Sequence, residues 1–255
     1  MIATRHQAWR FGAAIATALL CAGSAVLAEP QQGTHITSVA GIPVWRQAGP
    51  PVTILFRSGM AVDVDGAPKA YHAQDTLALN RLRGAGHPGH WWALVTKDGR
   101  PVVQGPKDPA PGYYVSMTSL QSPAFEVTDP RRYVDASTIP YVALTKAVVS
   151  AGKVRLGDLV AVINQANGKV AYAIYADQGP KDKLGEGSLY LANQLRTTPL
   201  SDLSAIRSSL AGGIVYVLFP GSGNRRPKTR EEIVRVGAKL FEQWGGLVAL
   251  KASFP

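Results

Sequence analysis

The stretch that decides the fold runs from residue 157 to residue 177 and reads "GDLVAVINQANGKVAYAIYAD". It contains two apolar runs, Leu159 to Ile163 and Val170 to Ala176, which are joined through Asn167-Gly168. An Asn-Gly pair accepts the positive φ angles that a tight turn between two strands requires. The stretch therefore predicts a β-hairpin, and its second strand ends at an acidic residue.

Other segments extend this β pattern. The stretches "TIPYVALTK", Thr138 to Lys146, and "GGIVYVLFP", Gly212 to Pro220, predict two further strands. Between Gly84 and Gln121 the chain is rich in Gly and Pro, which is typical of long loops lying over a sheet. We therefore predict a mainly β fold with long loops and a few accessory helices.

One helix near the C terminus is well marked. Thr229 and Glu232 have the spacing of a capping box, and Gly245-Gly246 supply a stop signal. Between them, apolar residues recur at helical spacing on one face: Ile233, Val236, Leu240, Phe241 and Trp244. The pattern predicts an amphipathic helix that packs against the sheet.

Residues 1–28 have the pattern of a signal peptide. Arg5 and Arg10 precede an apolar run, Phe11 to Leu20, and Val26-Leu27-Ala28 resembles a small-residue cleavage site. The apolar run is short for a membrane span, although an uncleaved anchor is the alternative. We predict a secreted or periplasmic protein without stable membrane insertion, monomeric and with a single domain over residues 29–255.

Cysteine and charge usage constrain the remaining chain. Its single cysteine, Cys21, lies in the predicted signal peptide, so the domain must be stabilised by its core rather than by disulfides. The net charge is +10, and residues 187–255 carry nine basic against four acidic residues. The stretch "GNRRPKTR", Gly223 to Arg230, suits an anionic surface such as a cell wall or nucleic acid. A solvated loop is the simpler interpretation, and without interleaved aromatic residues we predict no nucleic-acid partner.

Two carboxylates follow the predicted hairpin. In "YAIYADQGPKDKLGEGS", residues 172–188, Asp177 ends the strand and Glu186 lies between two glycines after a Gly-Pro turn. A pair of carboxylates is what most glycosidases use to break a glycosidic bond. From residue types alone, a turn-capping Asp177 and an exposed Glu186 at the start of a helix are the simpler alternatives.

A strand that ends in Asp-x-Gly-Pro after an Asn-Gly hairpin resembles the double-psi β-barrel pattern. The resemblance implies a six-stranded barrel core with the aspartate, here Asp177, at its rim. Barrels of this kind include enzymes that cleave polysaccharides.

A wider resemblance covers about Met60 to Pro220. It is to the fungal-type chitosanases of glycoside hydrolase family 75, and four stretches carry it: "DVDGAPKAYH" (residues 63–72), "WWALVTKDGRPVVQGPKDPAPGYYVSMTSL" (91–120), "RYVDASTIPYVAL" (132–144) and residues 157–195. The family's catalytic pair is an Asp and a Glu separated by a short loop, and Asp177 and Glu186 match it.

The resemblance implies an enzyme that cleaves the β-1,4 linkages of chitosan with inversion. Sequence does not distinguish the acid from the base, and we take Glu186 as the acid and Asp177 as the base. Two alternatives stay open: a non-catalytic protein that binds a cell wall or polysaccharide, and a hydrolase of peptidoglycan glycan strands.

A chitosan cleft needs further carboxylates because each glucosamine unit carries an ammonium group in its protonated form. Asp63, Asp65 and Asp135 are the candidates, with turn positions as the alternative. Four aromatic residues are candidates for stacking on sugar rings, although burial in the core is the commoner fate of such side chains: Trp91, Trp92, Tyr113 and Tyr114.

The sequence favours no metal and no cofactor. Asp63-Val64-Asp65-Gly66 resembles a fragment of a calcium loop but lacks the distal Glu. His87 and His90 have no third ligand nearby in sequence. Ser188 lacks the G-x-S-x-G context of a serine nucleophile.

Overall fold

The computed structural model describes residues 33–200 and 208–254. The predicted signal peptide therefore lies outside the described residues, and the domain boundary after it stays a prediction. The described strands are β1 (Thr34–Val39), β2 (Ile42–Gln47), β3 (Thr53–Asp63), β4 (Gly86–His87), β5 (His90–Trp91), β6 (Thr96–Lys97), β7 (Arg100–Pro101), β8 (Tyr141–Leu144), β9 (Leu159–Asn164), β10 (Lys169–Gln178), β11 (Glu186–Ser188) and β12 (Leu210–Phe219).

Four α-helices accompany these strands in the described parts of the chain. They are α1 (Lys146–Gly152), α2 (Leu189–Leu195), α3 (Arg230–Trp244) and α4 (Gly246–Ser253). None of the described helices has the length and apolarity needed to cross a bilayer.

Six strands form a closed barrel. Their order is β3-β11-β8-β10-β9-β12, and pairing of β12 with β3 closes the ring. The β3–β11 and β8–β10 pairs are parallel, whereas the other four pairs of the ring are antiparallel. The prediction of a mainly β fold with a six-stranded barrel core is confirmed, while its double-psi connectivity stays a prediction.

The predicted hairpin forms, with β9 and β10 paired from Lys169↔Asn164 to Ile174↔Leu159. Its turn is longer than a two-residue turn, because residues 165–168 all lie outside the ladder and only Gly168 among them has a positive φ, 72°. Asn167 instead uses its amide, which donates to Leu195 O at 2.9 Å. The Asn-Gly pair therefore predicted the hairpin correctly but not its turn geometry.

The barrel is filled by large apolar side chains and covered by α3. The rings of Phe56 and Tyr216 stack with centroids 4.5 Å apart. Outside the sheet, Phe241 of α3 meets Tyr172 of β10 at 6.2 Å. Thr229 Oγ1 accepts a hydrogen bond from Glu232 N at 3.2 Å, and Gly245 ends the helix with φ 109°. The N-cap at Thr229 and the stop signal are confirmed, whereas the Glu232 side chain accepts from Lys228 Nζ at 3.1 Å and does not complete the capping box.

The other predicted elements also appear. Strand β8 lies inside the segment 138–146, and β12 begins two residues before the predicted Gly212. The region from residue 84 to residue 121 contains two short ribbons, β4–β5 and β6–β7, separated by loops and isolated bridges. This region runs beside the barrel, since Leu120 N donates to Ala176 O of β10 at 2.8 Å.

Candidate active site

Asp177 and Glu186 lie on either side of one residue of the barrel. Ala143 of β8 is in register with Asp177 of β10 on one side and with Glu186 of β11 on the other. Residues in register across neighbouring strands point to the same face of a sheet. The two carboxylates therefore share a face, with Cα atoms about 10 Å apart over two strand spacings.

A β-bulge brings Asp177 into this position. Tyr175 pairs with Val142, but the next pair is Asp177↔Ala143, so Ala176 is the extra residue. In a regular ladder Ala176 would face Ala143, and Asp177 would point to the opposite face. The bulge thus selects which side chain of β10 reaches the barrel rim.

Three donors hold one oxygen of Asp177. Its Oδ1 accepts from Ser119 N at 2.9 Å, Ser119 Oγ at 2.7 Å and Gln178 N at 2.8 Å. The side chain is only 8% exposed. Burial, reinforced by the charge of Asp63, raises the pKa of Asp177 to about 7, and the bonds from Ser119 and Gln178 oppose that rise.

Glu186 is half-buried at the start of β11. Burial raises its pKa to about 7; the charges of Asp63 and Asp177 add to this rise, whereas Lys183 opposes it. The backbone before it leaves no room for a side chain, because a Cβ on Gly185 (φ 93°) would lie 2.1 Å from Gly59 O. The glycine is therefore needed for β11 to approach β3 at this point.

Two further aspartates join Asp177. Asp63 ends β3, and carboxylate oxygens of Asp63, Asp65 and Asp177 all lie within 4.8 Å of one another. Asp63 Oδ1 also accepts from Asp65 N at 2.9 Å, which keeps the two residues in one turn. We call Asp63, Asp65, Asp177 and Glu186 the acid cluster.

Two buried tyrosines line the acid cluster. Tyr71 Oη donates to Asp65 Oδ1 at 2.7 Å, and Tyr141 Oη donates to Asp65 O at 2.9 Å. Burial, followed by the charges of Asp63 and Asp177, raises the pKa of Asp65 well above its ordinary value. Burial also raises the pKa of Asp63. The cluster therefore retains protons at pH values where isolated carboxyls have lost them.

Comparison with protein families decides the class. A family model described as "Fungal chitosanase of glycosyl hydrolase group 75" matches residues 113–244, slightly more than half of the 255 residues. The chain belongs to this family. No match to a curated protein is found. The family makes the chain a glycosidase of the chitosanase type, as the sequence resemblance predicts.

The family match covers only part of the acid cluster of this chitosanase-type chain. Asp177 and Glu186 lie inside residues 113–244, together with Ser119. Asp63 and Asp65 precede the matched segment and are brought to it by β3, whose last three residues pair with β11. The catalytic role of the pair and the binding roles of Asp63 and Asp65 remain predictions.

The third predicted binding carboxylate, Asp135, lies in the turn before β8. Its Oδ1 accepts from Ser137 N at 2.8 Å and from Ser137 Oγ at 2.6 Å, and its Oδ2 accepts from Thr138 Oγ1 at 3.0 Å. These bonds engage both oxygens within the turn. The structure does not bring Asp135 into the acid cluster, and contact with substrate stays a prediction for this residue.

The four aromatic candidates differ in exposure. Trp92 is 52% exposed, and its Nε1 donates to Gly84 O at 3.0 Å. Trp91 and Tyr114 are partly buried against the core. Tyr113 Oη donates to Leu77 O at 2.8 Å. Trp92 therefore offers the most open ring, while stacking on sugar stays a prediction for all four.

The acid cluster is also the place where a cation would find ligands. Within residues 33–200 and 208–254, Asp63, Asp65 and Asp177 are the one group of three or more His, Cys or acidic side chains close enough to share a metal ion. His87 and His90 instead lie opposite each other on the β4–β5 ribbon, with ring centroids 5.7 Å apart. We assign no metal, because carboxyls this close equally share protons or bind an ammonium group.

Sequence reasoning missed Ser119, Tyr71, Tyr141 and Lys183. Ser119 is 58 residues from Asp177 along the chain, and no local pattern links the two. Tyr71 and Tyr141 lie inside the stretches that carry the family resemblance, but as buried residues they look like ordinary core tyrosines. The proximity of Tyr71 to the "DVDG" turn was the one available signal.

Proposed function

We propose that this protein hydrolyses the β-1,4 linkages of chitosan, with Glu186 as general acid and Asp177 as general base. The observation that carries the proposal is the placement of both carboxylates beside Ala143, on one face of the barrel rim. Their raised pKa values support it, because a group that donates a proton near neutral pH must hold that proton until it reacts.

The hydrogen bonds support the assignment of roles. Three donors converge on Asp177 Oδ1, which favours its ionised form and leaves Oδ2 to accept a proton from water. The Glu186 carboxylate accepts no hydrogen bond from the described residues, so only the charge of Lys183 favours its ionised form. In a coupled pair that shares one proton, Glu186 is therefore the better proton carrier.

The strand spacing supports inversion. One whole strand, β8, separates the two acids, which places their Cα atoms about 10 Å apart. Inverting glycosidases keep their carboxyls roughly 6.5–9.5 Å apart so that a water molecule fits between base and sugar, whereas retaining enzymes need about 5–5.5 Å. Two acids that start two strand spacings apart and point to the same face can keep their carboxyls at this wider separation.

Asp63 and Asp65 suit the charge of the substrate. Protonated glucosamine carries one ammonium group per unit, and a carboxylate binds such a group through short charge-assisted hydrogen bonds. Both residues are half-buried beside Asp177. In the proposed complex a substrate ammonium partly neutralises the acid cluster, which lowers the cost of ionising Asp177.

Export is part of the proposal. The basic and apolar pattern of residues 1–28 is that of a signal peptide, and a polymeric substrate is more accessible outside the cytoplasm. Fractionation of expressing cells, followed by N-terminal sequencing of the exported protein, tests both the location and the cleavage after Ala28.

A reducing-end assay on chitosan, chitin and peptidoglycan tests the activity. We expect cleavage of chitosan, and a loss of about a hundredfold or more in Asp177→Asn and in Glu186→Gln, since each substitution removes a proton carrier. Asp182→Asn is the matched control, because Asp182 is exposed in the loop between the two acids. NMR of the first product should show an inverted anomeric centre.

Four outcomes would contradict the proposal or a part of it. Binding of chitosan without turnover would identify a non-catalytic polysaccharide-binding protein, and cleavage confined to peptidoglycan would change the substrate. Wild-type rates in either variant would remove that residue from the mechanism. A retained anomeric configuration would overturn the assignment of Asp177 as a base.

A further inference from the structure

We propose that two loops, residues 153–158 and 220–226, form a second binding surface that takes an anionic polysaccharide. We call them the basic loop pair. The inference is independent of the proposed catalytic function, because it uses no residue of the acid cluster and concerns a polymer of opposite charge to chitosan.

The basic loop pair presents four exposed cations: Lys153, Arg155, Arg225 and Arg226. No side chain among them has a hydrogen bond or ion pair with any residue in the described ranges. The next two cations are engaged, since Lys228 pairs with Glu232 at 3.1 Å and Arg230 donates to Tyr190 Oη at 3.2 Å. The acidic residue of the loop pair, Asp158, is fully buried and presents no charge at its surface.

Asp158 clamps the two loops together. Its Oδ2 accepts from Arg155 N at 2.8 Å and from Gly221 N at 3.1 Å, while its Oδ1 accepts from Gly223 N at 2.8 Å. Ser222 Oγ adds a second link by accepting from Leu159 N at 2.8 Å. These bonds fix the relative position of the loops, so that their cations need not be ordered when a ligand binds.

The two backbones also touch directly. A Cβ on Gly223 would lie 2.2 Å from the carbonyl carbon of Gly157, and a Cβ on Gly157 would lie 3.2 Å from Arg225 N. Glycine at both positions is what permits this approach. It brings the Arg225-Arg226 backbone beside the turn that begins at Arg155, although 70 residues separate Arg155 and Arg225 in sequence.

Two of the four cations occupy backbone positions that favour glycine. Lys153 has φ 55° and Arg225 has φ 60°, in the left-handed region where residues with a Cβ are disfavoured. Lys153 donates a hydrogen bond to the end of α1 through its backbone N–H alone, so a glycine at this position would donate the same bond. A cation in a strained conformation at both sites favours a role for the side chains.

The chemistry of the loops selects the class of polymer. Neither loop contains an aromatic residue, so a nucleic acid would find charge but no side chain on which its bases could stack. The apolar members, Val154 and Leu156, are not exposed, which argues against insertion into a membrane. A linear polysaccharide with carboxylate or sulfate groups needs only a fixed array of cations.

The backbone geometry provides a test that does not depend on damage to the fold. In a Lys153→Gly/Arg225→Gly double variant, two cations are removed and strain at both positions is relieved, so Tm should be unchanged or higher. Binding to heparin, a sulfated polysaccharide, should weaken by about tenfold at 0.1 M salt, because two fewer cations release counterions on binding. The slope of log K against log salt should fall by about 2, and chitosan cleavage should keep its wild-type rate.

Two controls separate the surface from general charge and from backbone relief. Lys97→Gln/Arg100→Gln removes the same charge from the β6–β7 ribbon, where both residues are exposed. Ala40→Gly relieves backbone strain at another residue in the left-handed region, φ 49°, without a change of charge. Both controls should bind heparin as the wild type does.

Three results would overturn the proposal. Equal weakening of heparin binding in the Lys97/Arg100 control would mean that binding depends only on the net charge of the protein. Unchanged binding in the Lys153/Arg225 variant would remove the basic loop pair from binding. Tighter binding of a DNA duplex than of heparin and polygalacturonate at the same salt concentration would identify a nucleic-acid surface instead.

Discussion

Two buried aspartates at the open end of the same hairpin have different surroundings. Asp158 precedes β9 and is 0% exposed, and Asp177 lies near the end of β10 and is 8% exposed. They are close in the fold, since Tyr175 N donates to Asp158 O at 2.8 Å. Each accepts three hydrogen bonds, from backbone N–H groups for Asp158 and from backbone plus Ser119 Oγ for Asp177.

Asp177 and Asp158 differ in how many other acids lie next to them. Burial raises the pKa of Asp177 most, and the charge of Asp63 adds to this rise, while Asp65 and Glu186 belong to the same cluster. The hydrogen bonds that Asp158 accepts instead join two loops. Burial and hydrogen bonding alone therefore do not distinguish a proton carrier from a structural clamp; the neighbouring carboxylates do.

The largest expected effects come from making the same substitution at both positions. Asp177→Asn should lower the rate by about a hundredfold or more and leave the free energy of unfolding unchanged or higher, because it removes a crowded acid. Asp158→Asn should keep the rate per folded molecule but lower the free energy of unfolding by about 3 kcal/mol, because an amide nitrogen cannot accept from Arg155 N and Gly221 N.

Urea unfolding and active-site-normalised kinetics on the two variants measure this difference. A rate loss in Asp158→Asn as large as in Asp177→Asn, at equal folded fraction, would show that the loops also support catalysis. A large stability loss in Asp177→Asn would make that residue structural.

The second effect is the dependence of stability on pH. The acid cluster has raised pKa values in the folded state, so folding binds protons and its contribution to stability is fully present below about pH 4. It is lost as pH rises through about 7. We expect Tm to fall by on the order of 5 °C between pH 5 and pH 8 through this effect.

Differential scanning calorimetry across this pH range, on wild type and on Asp177→Asn, provides the measurement. The variant should show a flatter dependence, because one of the coupled groups no longer titrates. The raised pKa values would be contradicted if the Tm of the wild type did not fall relative to the Tm of the variant between pH 5 and pH 8.

A smaller effect is expected at Ser119, which donates to Asp177 through both its N–H and its Oγ. In Ser119→Ala the hydroxyl donor is lost, so the ionised base is less favoured and its pKa rises further. The acidic limb of the rate profile should move up by about one pH unit, with kcat about tenfold lower at mildly acidic pH and KM little changed.

Ser119→Thr keeps the hydroxyl and should restore most of the activity. Ser122→Ala, in the same loop, is the matched control. An unshifted pH profile in Ser119→Ala would leave Ser119 as a loop residue without influence on Asp177.

The smallest expected effect separates two candidate binding acids. Asp63→Asn should slow cleavage of chitosan several-fold more than cleavage of a partly acetylated oligomer, and added salt should narrow the difference. Asp135→Asn should change cleavage of the two substrates more equally, because the carboxylate of Asp135 already accepts hydrogen bonds from Ser137 and Thr138. Parallel kcat/KM measurements on the two substrates test this, and a stronger effect at Asp135 would place the ammonium sites along its turn.

Features that depend on neighbours in sequence were predictable. The hairpin of β9 and β10 follows from two apolar runs, and α3 begins at Thr229 and stops at Gly245 because capping is a local interaction. The nomination of Asp177 and Glu186 also needed only a short motif, in which the two acids are nine positions apart, together with the family resemblance.

Features that depend on strand register were decided only by the tertiary structure. The bulge at Ala176 determines which face Asp177 occupies, and pairing of β3 with β11 brings Asp63 to it across 114 residues of sequence. Asp135, which sequence placed with Asp63, stays in its own turn. A shift of one residue in register moves a side chain to the other face, and no periodicity along a single strand encodes that pairing.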